Sequence, residues 1–267
     1  MQTDTLAVDR IQTALSPEAR GALAAIHVFP ALDSTNRWAL QHAQCAEVCL
    51  AEQQTDERGR RGRQWQSPAG VNVYLSLRWC FASVPQQLPL LSLVTGIAVA
   101  EALAMCGVQG HGLKWPNDIV FSGMEGPASL KKLGGILLEA VGTLQQVVIG
   151  IGLNVNMLPD ANTTSIDQPW TSLRSLQGKS VERNTLVAAL LSRLVEHLQA
   201  FPNLDNAQFQ QAWQDWDVLA QRSIRVLAGS EVWEGLADGV DSQGQLRLQL
   251  NNGLSKVFSS ADVSVRM

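Results

Sequence analysis

The pattern of the sequence changes near Asp217, and this change constrains the fold more than any other feature. Five short segments typical of strands follow it, and turn sequences such as DSQG and NNG separate them. They are SIRVLA, VWEGLADGV, QLRLQL, LSKVF and VSVRM. Segments this short, linked by tight turns, predict a small β-barrel domain at residues 219–267, after a larger domain at residues 1–218.

The larger domain mixes strand and helix patterns. VNVYLSLRW alternates strictly between apolar and polar residues and predicts a half-buried strand, whereas PLLSLVTGIAVAEALAM and NTLVAALLSRLVEHLQAF have helical spacing. Asn184 is expected to cap the second of these helices. GGILLEAVG and QQVVIGIGLNVN predict consecutive strands. Because the order lacks a regular βαβ alternation, we expect an α+β fold with a mixed sheet layered with helices.

Charge and hydropathy exclude several classes of protein. The chain of 267 residues has 20 Lys and Arg against 24 Asp and Glu, a net charge of −4. This argues against a general affinity for DNA or for an anionic membrane. The N-terminus lacks a signal-peptide pattern, and no stretch approaches the roughly 20 apolar residues of a membrane span. We therefore expect a cytoplasmic protein.

The four cysteines are too few for a disulfide framework, so we expect buried thiols. His42, Cys45 and Cys49 could share a helix face, but a metal site there would still need a fourth ligand. No metal ligands are assigned from the sequence.

A basic segment stands out in this acidic chain. ERGRRGRQWQSPAG, residues 57–70, spaces four arginines with glycines. Guanidinium groups bind carboxylates and phosphates in pairs of hydrogen bonds, and glycine allows close backbone approach. Such a segment could enclose a polyphosphate, but taken alone it is more often a solvated basic turn.

Two further motifs carry polar residues at turns and strand ends. In GLKWPNDIV, Pro116 fixes a turn between strands, which aims Lys114, Asn117 and Asp118. In KKLGGILLEA, Lys132 leads into a glycine-bearing strand, where a cation can neutralise developing negative charge. IGIGLNVN lacks the third glycine of a dinucleotide fingerprint, so its glycines are expected to allow a ligand to lie across the sheet.

Taken in order, DSTN, AEQQTDERGRRGRQW, KWPND, KKLGGILLE, GIGLNVN and VSVR closely resemble the biotin–protein ligase family from about Leu32 to Met267. The resemblance implies a biotin/lipoate ligase-like catalytic domain followed by an SH3-like β-barrel. It also implies that ATP, with Mg²⁺, activates biotin to biotinyl-5′-AMP. The biotinyl group then passes to one lysine of a biotin carboxyl carrier protein.

The resemblance assigns site residues position by position. It implies that biotin is held by Ser34, Thr35, Asn36, Gln54, Arg58, Gly59, Arg60 and Lys132. It implies that ATP is held by Arg63, Trp65, Lys114, Asn117, Asn154 and Arg266. Lys132, Arg63 and Asp118 are the expected catalytic residues, and a sheet edge is expected to mediate homodimerisation and carrier docking.

Two alternatives stay open at this point. A lipoate or octanoate ligase shares the catalytic fold, although GRRGR with KWPND favours biotin. A biotin-sensing repressor would need a DNA-binding module, and the roughly 30 residues before DSTN are too few and not basic. Glu57 departs from the family, which usually has glycine before the first arginine, and the connection between Asp118 and Lys132 is longer than usual.

Overall fold

The computed structural model describes residues 4–56, 65–123, 130–142, 144–159, 166, 168–259 and 263–266. Strands from the first part of the chain form one sheet: β1 Ala25–Phe29, β2 Glu47–Ala51, β3 Val73–Cys80, β4 His111–Lys114, β5 Asp118–Ser122, β6 Leu130–Val141 and β7 Gln146–Leu153. Their order is β1-β2-β3-β7-β6-β5-β4. Only the β1–β2 pair of this sheet is parallel within the described strands. The predicted mixed sheet is confirmed.

The helices are α1 Val8–Ala14, α2 Pro17–Ala22, α3 Thr35–Gln41, α4 Leu91–Met105, α5 Leu173–Gln177, α6 Arg183–Ala200 and α7 Asn206–Gln214. α4 packs on the sheet through β4, β5 and β6 and is covered by α6, whereas α3 contacts β2, β3 and β7. The prediction of a half-buried β3 is wrong, because Tyr74 and Ser76 on its polar face are 1% and 0% exposed. α3 covers that face.

α4 is apolar on nearly all sides because it lies between the sheet and α6. Within the described part of the chain, Leu88–Met105 is the one helical segment that could cross a membrane by length and composition alone. In this fold 67% of it is buried. Its hydropathy matches its position as a core helix.

α6 begins at Arg183, and Glu182 is its N-cap, so the prediction that Asn184 caps this helix is wrong. The Glu182 carboxylate accepts from the backbone N–H groups of Asn184 and Thr185. The Asn184 side chain instead accepts from the N–H of Ala7 at 2.8 Å and donates to the carbonyl of Thr5 at 3.1 Å. It therefore ties the N-terminal segment to α6.

Two cysteines differ from the sequence-based expectation. Cys45 and Cys80 form a disulfide that joins the segment after α3 to the end of β3, with Cα atoms 5.5 Å apart. The expectation of buried thiols is correct for Cys49, whose pKa burial raises to about 12. In the described residues, no three His, Cys, Asp or Glu side chains group as a metal site.

The second sheet consists of β8 Ser223–Ala228, β9 Glu231–Val240, β10 Leu246–Leu250, β11 Ser255–Phe258 and β12 Val263–Arg266, in the order β11-β10-β9-β8-β12. All five predicted C-terminal strands are confirmed. The first sheet contacts this one at the β4–β5 turn, where the buried Trp115 donates its indole N–H to the carbonyl of Gly244 at 2.9 Å. The boundary between residues 218 and 219 stays a prediction.

Candidate active site

The N-terminus of α3 presents a buried group of polar side chains to the sheet. Ser34 is the N-cap of α3, and its hydroxyl accepts from the N–H of Arg37. Ser34, Thr35 and Asn36 are 3%, 4% and 5% exposed. A helix N-terminus that is buried in this way holds its polar side chains in fixed positions.

Hydrogen bonds connect Thr35 and Asn36 to three further side chains from β3, β6 and the segment after β2. Ser76 Oγ lies 2.6 Å from Asn36 Oδ1 and 2.8 Å from Thr35 Oγ1. Asn36 Nδ2 donates to Glu139 at 2.8 Å, and Gln54 Oε1 accepts from the N–H of Thr35 at 2.8 Å. We call these five residues, Thr35, Asn36, Gln54, Ser76 and Glu139, the α3 network.

Asn36 fits against the sheet only because residue 150 lacks a side chain. A Cβ at Gly150 would overlap the amide of Asn36. The glycines of IGIGLNVN were expected to admit a ligand, and in this structure one of them admits Asn36. The close approach at Gly150 is thus made by a side chain, and the expectation that a ligand lies across these glycines stays a prediction.

An ion network fixes the entry to α3. The guanidinium of Arg37 pairs with the carboxylate of Asp33 and, at 2.6 Å, with that of Asp56. Burial raises the pKa of Asp33, but hydrogen bonds from Arg37 and from the N–H of Ser34 outweigh it and lower that pKa. The segment that carries Asp56, which follows β2, is thereby joined to the helix that carries the α3 network.

Lys132 and Asp118 form an ion pair with 2.8 Å between Nζ and Oδ1. Lys132 lies within β6, next to a register shift against β5, rather than before the strand. Its ammonium group is also 5.2 Å from the centre of the Trp65 ring. The structure thus brings together three of the residues that the sequence singled out.

Trp65 lies over two glycines of the sheet. Cβ atoms at Gly135 and Gly152 would come within 3.5 Å and 3.1 Å of its ring. The strip formed by Gly135, Gly150 and Gly152 therefore leaves room for side chains or ligands above β6 and β7. Lys132 and the α3 network both border this strip.

The turn of KWPND lies at the same end of β5 as Asp118. The Trp115–Pro116 bond is cis, and Asn117 donates from Nδ2 to the carbonyl of Ile136 on β6 at 2.8 Å. Lys114 is the last residue of β4 and pairs in register with Asp118. The prediction of a fixed strand-to-strand turn is confirmed.

Asn154 and Arg266, two residues predicted to contact ATP, lie in environments that differ from that of Lys132 and Trp65. Asn154 is buried and donates its amide protons to the carbonyls of Thr171 and Lys132, at 3.1 Å and 3.5 Å. Arg266 lies exposed on β12 of the second sheet. Arg58, Gly59, Arg60 and Arg63, together with Glu57, lie outside the described residues.

Sequence reasoning missed Ser76 and Glu139. Ser76 carried a signal, because it lies on the polar side of the alternating β3 pattern. Glu139 carried none, since a lone carboxylate on a strand resembles any solvated position. Only the sheet order shows that both face α3.

Known proteins resemble the chain in sequence and fold. Residues 28–154 match the Biotin/lipoate A/B protein ligase family, and residues 222–266 match the Biotin protein ligase C terminal domain. The chain is 34% identical over 247 residues to the bifunctional ligase/repressor BirA of Escherichia coli, covering 90% of this chain and 74% of that protein. It is 31% identical over 245 residues to the biotin–[acetyl-CoA-carboxylase] ligase of Paracoccus denitrificans, covering 86% of this chain and 96% of that protein.

A solved structure of the biotin protein ligase from Aquifex aeolicus, in complex with biotin and ATP, superposes with a TM-score of 0.77 at 27% identity. The superposition covers 91% of this chain and 99% of that one. The fold and the buried site beside a glycine strip define a protein ligase of the biotin and lipoate class. Within this class the similar relatives are biotin ligases, so the chain belongs to the biotin protein ligase family.

Proposed function

We propose that the protein is a biotin–[acetyl-CoA-carboxylase] ligase. It activates biotin with ATP to biotinyl-5′-AMP and transfers the biotinyl group to one lysine of a biotin carboxyl carrier protein. The observation that carries this proposal is the Lys132–Asp118 ion pair, which stands beside the same glycine strip as the buried α3 network. A cation for a reacting carboxylate and phosphate is thus adjacent to a polar, buried binding site.

Biotin is proposed to place its ureido ring against Ser34, Thr35, Asn36 and Gln54. Their hydroxyl and amide groups suit a ring that has two N–H donors and one carbonyl acceptor. The biotin carboxylate is then proposed to extend along the glycine strip toward Lys132. Arg58, Gly59 and Arg60 are proposed to hold that carboxylate from the basic segment.

ATP is proposed to bind on the Lys132 side of the strip. Its phosphates are assigned to Arg63 and Lys114, its adenine to Trp65, and further contacts to Asn117 and Arg266. Asn154 is proposed to contact ATP through its amide oxygen, because its amide protons are donated to the carbonyls of Thr171 and Lys132. Mg²⁺ is proposed to enter as MgATP, because that ion is usually held by substrate phosphates with few protein carboxylates.

The proposed first step needs no protein nucleophile. The biotin carboxylate attacks the α-phosphorus, pyrophosphate leaves, and Lys132 stabilises the charge that develops between the two anions. In the second step the amine of the carrier lysine attacks the acyl carbon, and AMP leaves. Asp118 is proposed to receive the proton that this amine loses.

The carrier and the assembly belong to the proposal as well. The expected acceptor is the biotin carboxyl carrier protein of a biotin-dependent carboxylase, in the cytoplasm. Homodimerisation through an edge of the first sheet is proposed too, and β1 is an outer strand of that sheet. Sedimentation with and without biotin and ATP measures whether such a dimer forms.

The central experiment is an incubation of the purified protein with MgATP, biotin and an isolated carrier domain. We expect a mass increase of one biotinyl group on a single carrier lysine. Replacing biotin with lipoate or octanoate is the matched control and should give no modification. Modification by lipoate in preference to biotin would overturn the proposed substrate.

A further inference from the structure

Glu139 ends a continuous chain of hydrogen bonds that runs through the α3 network. Asn36 donates from Nδ2 to the Glu139 carboxylate, and Asn36 Oδ1 is 2.6 Å from Ser76 Oγ. Ser76 Oγ is in turn 2.8 Å from Thr35 Oγ1. The chain crosses from β6 to α3, then to β3, and back to α3.

The carboxylate determines the direction of this chain. An ionised carboxylate only accepts hydrogen bonds, so the NH₂ end of the Asn36 amide must face Glu139. The amide oxygen then faces Ser76 and takes the single hydroxyl proton of that residue. The hydroxyl proton of Thr35 has two acceptors within reach, Ser76 Oγ at 2.8 Å and Gln54 Oε1 at 3.1 Å, and Gln54 Oε1 also accepts from the N–H of Thr35.

The direction decides what the site offers to a ligand. The second lone pair of Asn36 Oδ1 and the remaining lone pairs of Thr35 Oγ1 are left as acceptors, while the hydroxyl proton of Thr35 is taken up within the α3 network, by Gln54 or by Ser76. Both residues are at least 95% buried, so water competes weakly for these groups. A ligand with N–H donors can hydrogen-bond to these acceptors. A ligand with an oxygen at the same position would place two acceptors against each other without a hydrogen bond.

We propose that Glu139 is a positioning residue that determines specificity. It orients the Asn36 amide so that the α3 network presents hydrogen-bond acceptors to the ureido N–H donors of biotin. This inference rests on the proposed function, since it concerns how the same site recognises its substrate. Glu139 acts through Asn36 and Ser76. The missing Cβ at Gly150 gives the Asn36 amide the space to hold this orientation.

Glu139→Gln tests whether the carboxylate orients the Asn36 amide, because the substitution changes the hydrogen-bonding groups with little change of shape. A glutamine can donate or accept, so both orientations of the Asn36 amide become possible. The probes are biotin and a biotin analogue in which oxygen replaces one ureido N–H, giving a cyclic carbamate. Glu234→Gln is the matched control, because it makes the same change at an exposed position of the second sheet.

The measurements are the dissociation constants of both probes by calorimetry and the steady-state kinetics of carrier biotinylation. We expect the wild-type protein to prefer biotin over the carbamate by about 100-fold, as an unpaired buried polar group is costly. Glu139→Gln should reduce this preference at least about tenfold and raise the KM for biotin about tenfold. The KM for ATP and kcat should stay within about twofold, and Glu234→Gln should match the wild type.

An equal loss of affinity for biotin and for the carbamate would show that Glu139 only anchors α3. An unchanged preference for biotin over the carbamate would show that Glu139 does not orient the Asn36 amide. Either result overturns the inference. Should Glu139→Gln fail to fold, Ser76→Ala breaks the same chain at another point and should also reduce the preference. A wild-type protein that neither binds biotin nor modifies a carrier would contradict the proposed function instead.

Discussion

Lys132 is the residue on which the proposed chemistry depends most. Its ammonium group pairs with Asp118 and lies near the face of Trp65, so its position is set from two sides. The neighbouring Lys131 is exposed, because successive side chains of a strand point to opposite faces. The two lysines therefore offer a matched comparison.

Lys132→Ala should slow biotinyl-adenylate formation by roughly 100-fold or more, since a positioned charge acts where negative charge develops in the transition state. The fold should persist, because the Asp118 side chain is 25% exposed and can be hydrated. Pyrophosphate exchange measures the rate. Lys131→Ala should have nearly wild-type exchange, and equal effects of both substitutions would contradict the assignment.

Gly150→Ala should weaken biotin binding, because the added methyl group overlaps the Asn36 amide. Overpacking of this kind costs about 1–3 kcal/mol, so we expect the KM for biotin to rise roughly tenfold or more. Steady-state kinetics with varied biotin measure it. Gly21→Ala adds the same group where nothing lies within 4 Å and should leave the KM unchanged.

At the scale of elements, the start of α6 organises the N-terminal part of the protein. Arg183 is 1% exposed and pairs with Asp4 and, at 2.7 Å, with Glu52, while it also donates to the carbonyl of Asn72. Glu52 follows β2 and Asn72 precedes β3. This one side chain therefore joins α6, the N-terminal segment and the ends of two strands.

The N-cap of α6 should make stability depend on pH. Burial raises the pKa of Glu182, but hydrogen bonds from Thr185 and Asn184 outweigh it and lower that pKa from 4.5 to about 2. A lowered pKa in the folded state stabilises the protein above pH 4.5, and this stabilisation disappears as the pH falls toward 2.

Glu182→Ala should therefore lower the free energy of unfolding by about 1 kcal/mol at neutral pH, with a smaller deficit at low pH. Urea unfolding at about pH 7 and about pH 3 tests whether the deficit becomes smaller as the pH falls. Arg10→Ala is the control, because it removes the exposed partner of Glu182 and leaves the cap intact. A deficit that is constant with pH would refute the capping contribution.

At the scale of the whole molecule, the β4–β5 turn beside the candidate site joins the first sheet to the C-terminal part of the chain. Trp115, in the turn that also carries Asn117, donates to Gly244 of the second sheet. Residues Trp216–Val218 bond to the backbone of Leu113 on the edge strand β4. These contacts lead us to expect that the two sheets unfold together.

Gly244→Ala should destabilise the whole protein in one transition. Its φ is +71°, and a Cβ would lie 2.8 Å from Leu90 and 3.0 Å from Leu93, at the start of α4. Gly253→Ala has the same strain, with a φ of +82°, but meets nothing within 4 Å. For an overpacking cost of about 2 kcal/mol, calorimetry should show Gly244→Ala melting about 4–8 °C below Gly253→Ala. Two separate transitions would contradict the expected coupling.

The sequence alone determined the features that depend on local chemistry. Pro116 fixes a hairpin turn, and five short segments separated by turns form the second sheet. Each follows from the conformational preferences of a few neighbouring residues. Together with the order of the motifs, these features were enough to indicate the family, although the assigned roles of the site residues remain proposals.

The tertiary structure decided the features that depend on which surfaces meet. Alternation in β3 predicted one buried face, but α3 covers the other face as well. Asn184 looked like a cap and instead binds the N-terminal segment, and Cys45 joins Cys80 across a separation of 35 residues. Asn36 meets Glu139 across 103 residues. Local periodicity encodes how a strand alternates but not which element lies beside it, so only the sheet order could assemble the α3 network.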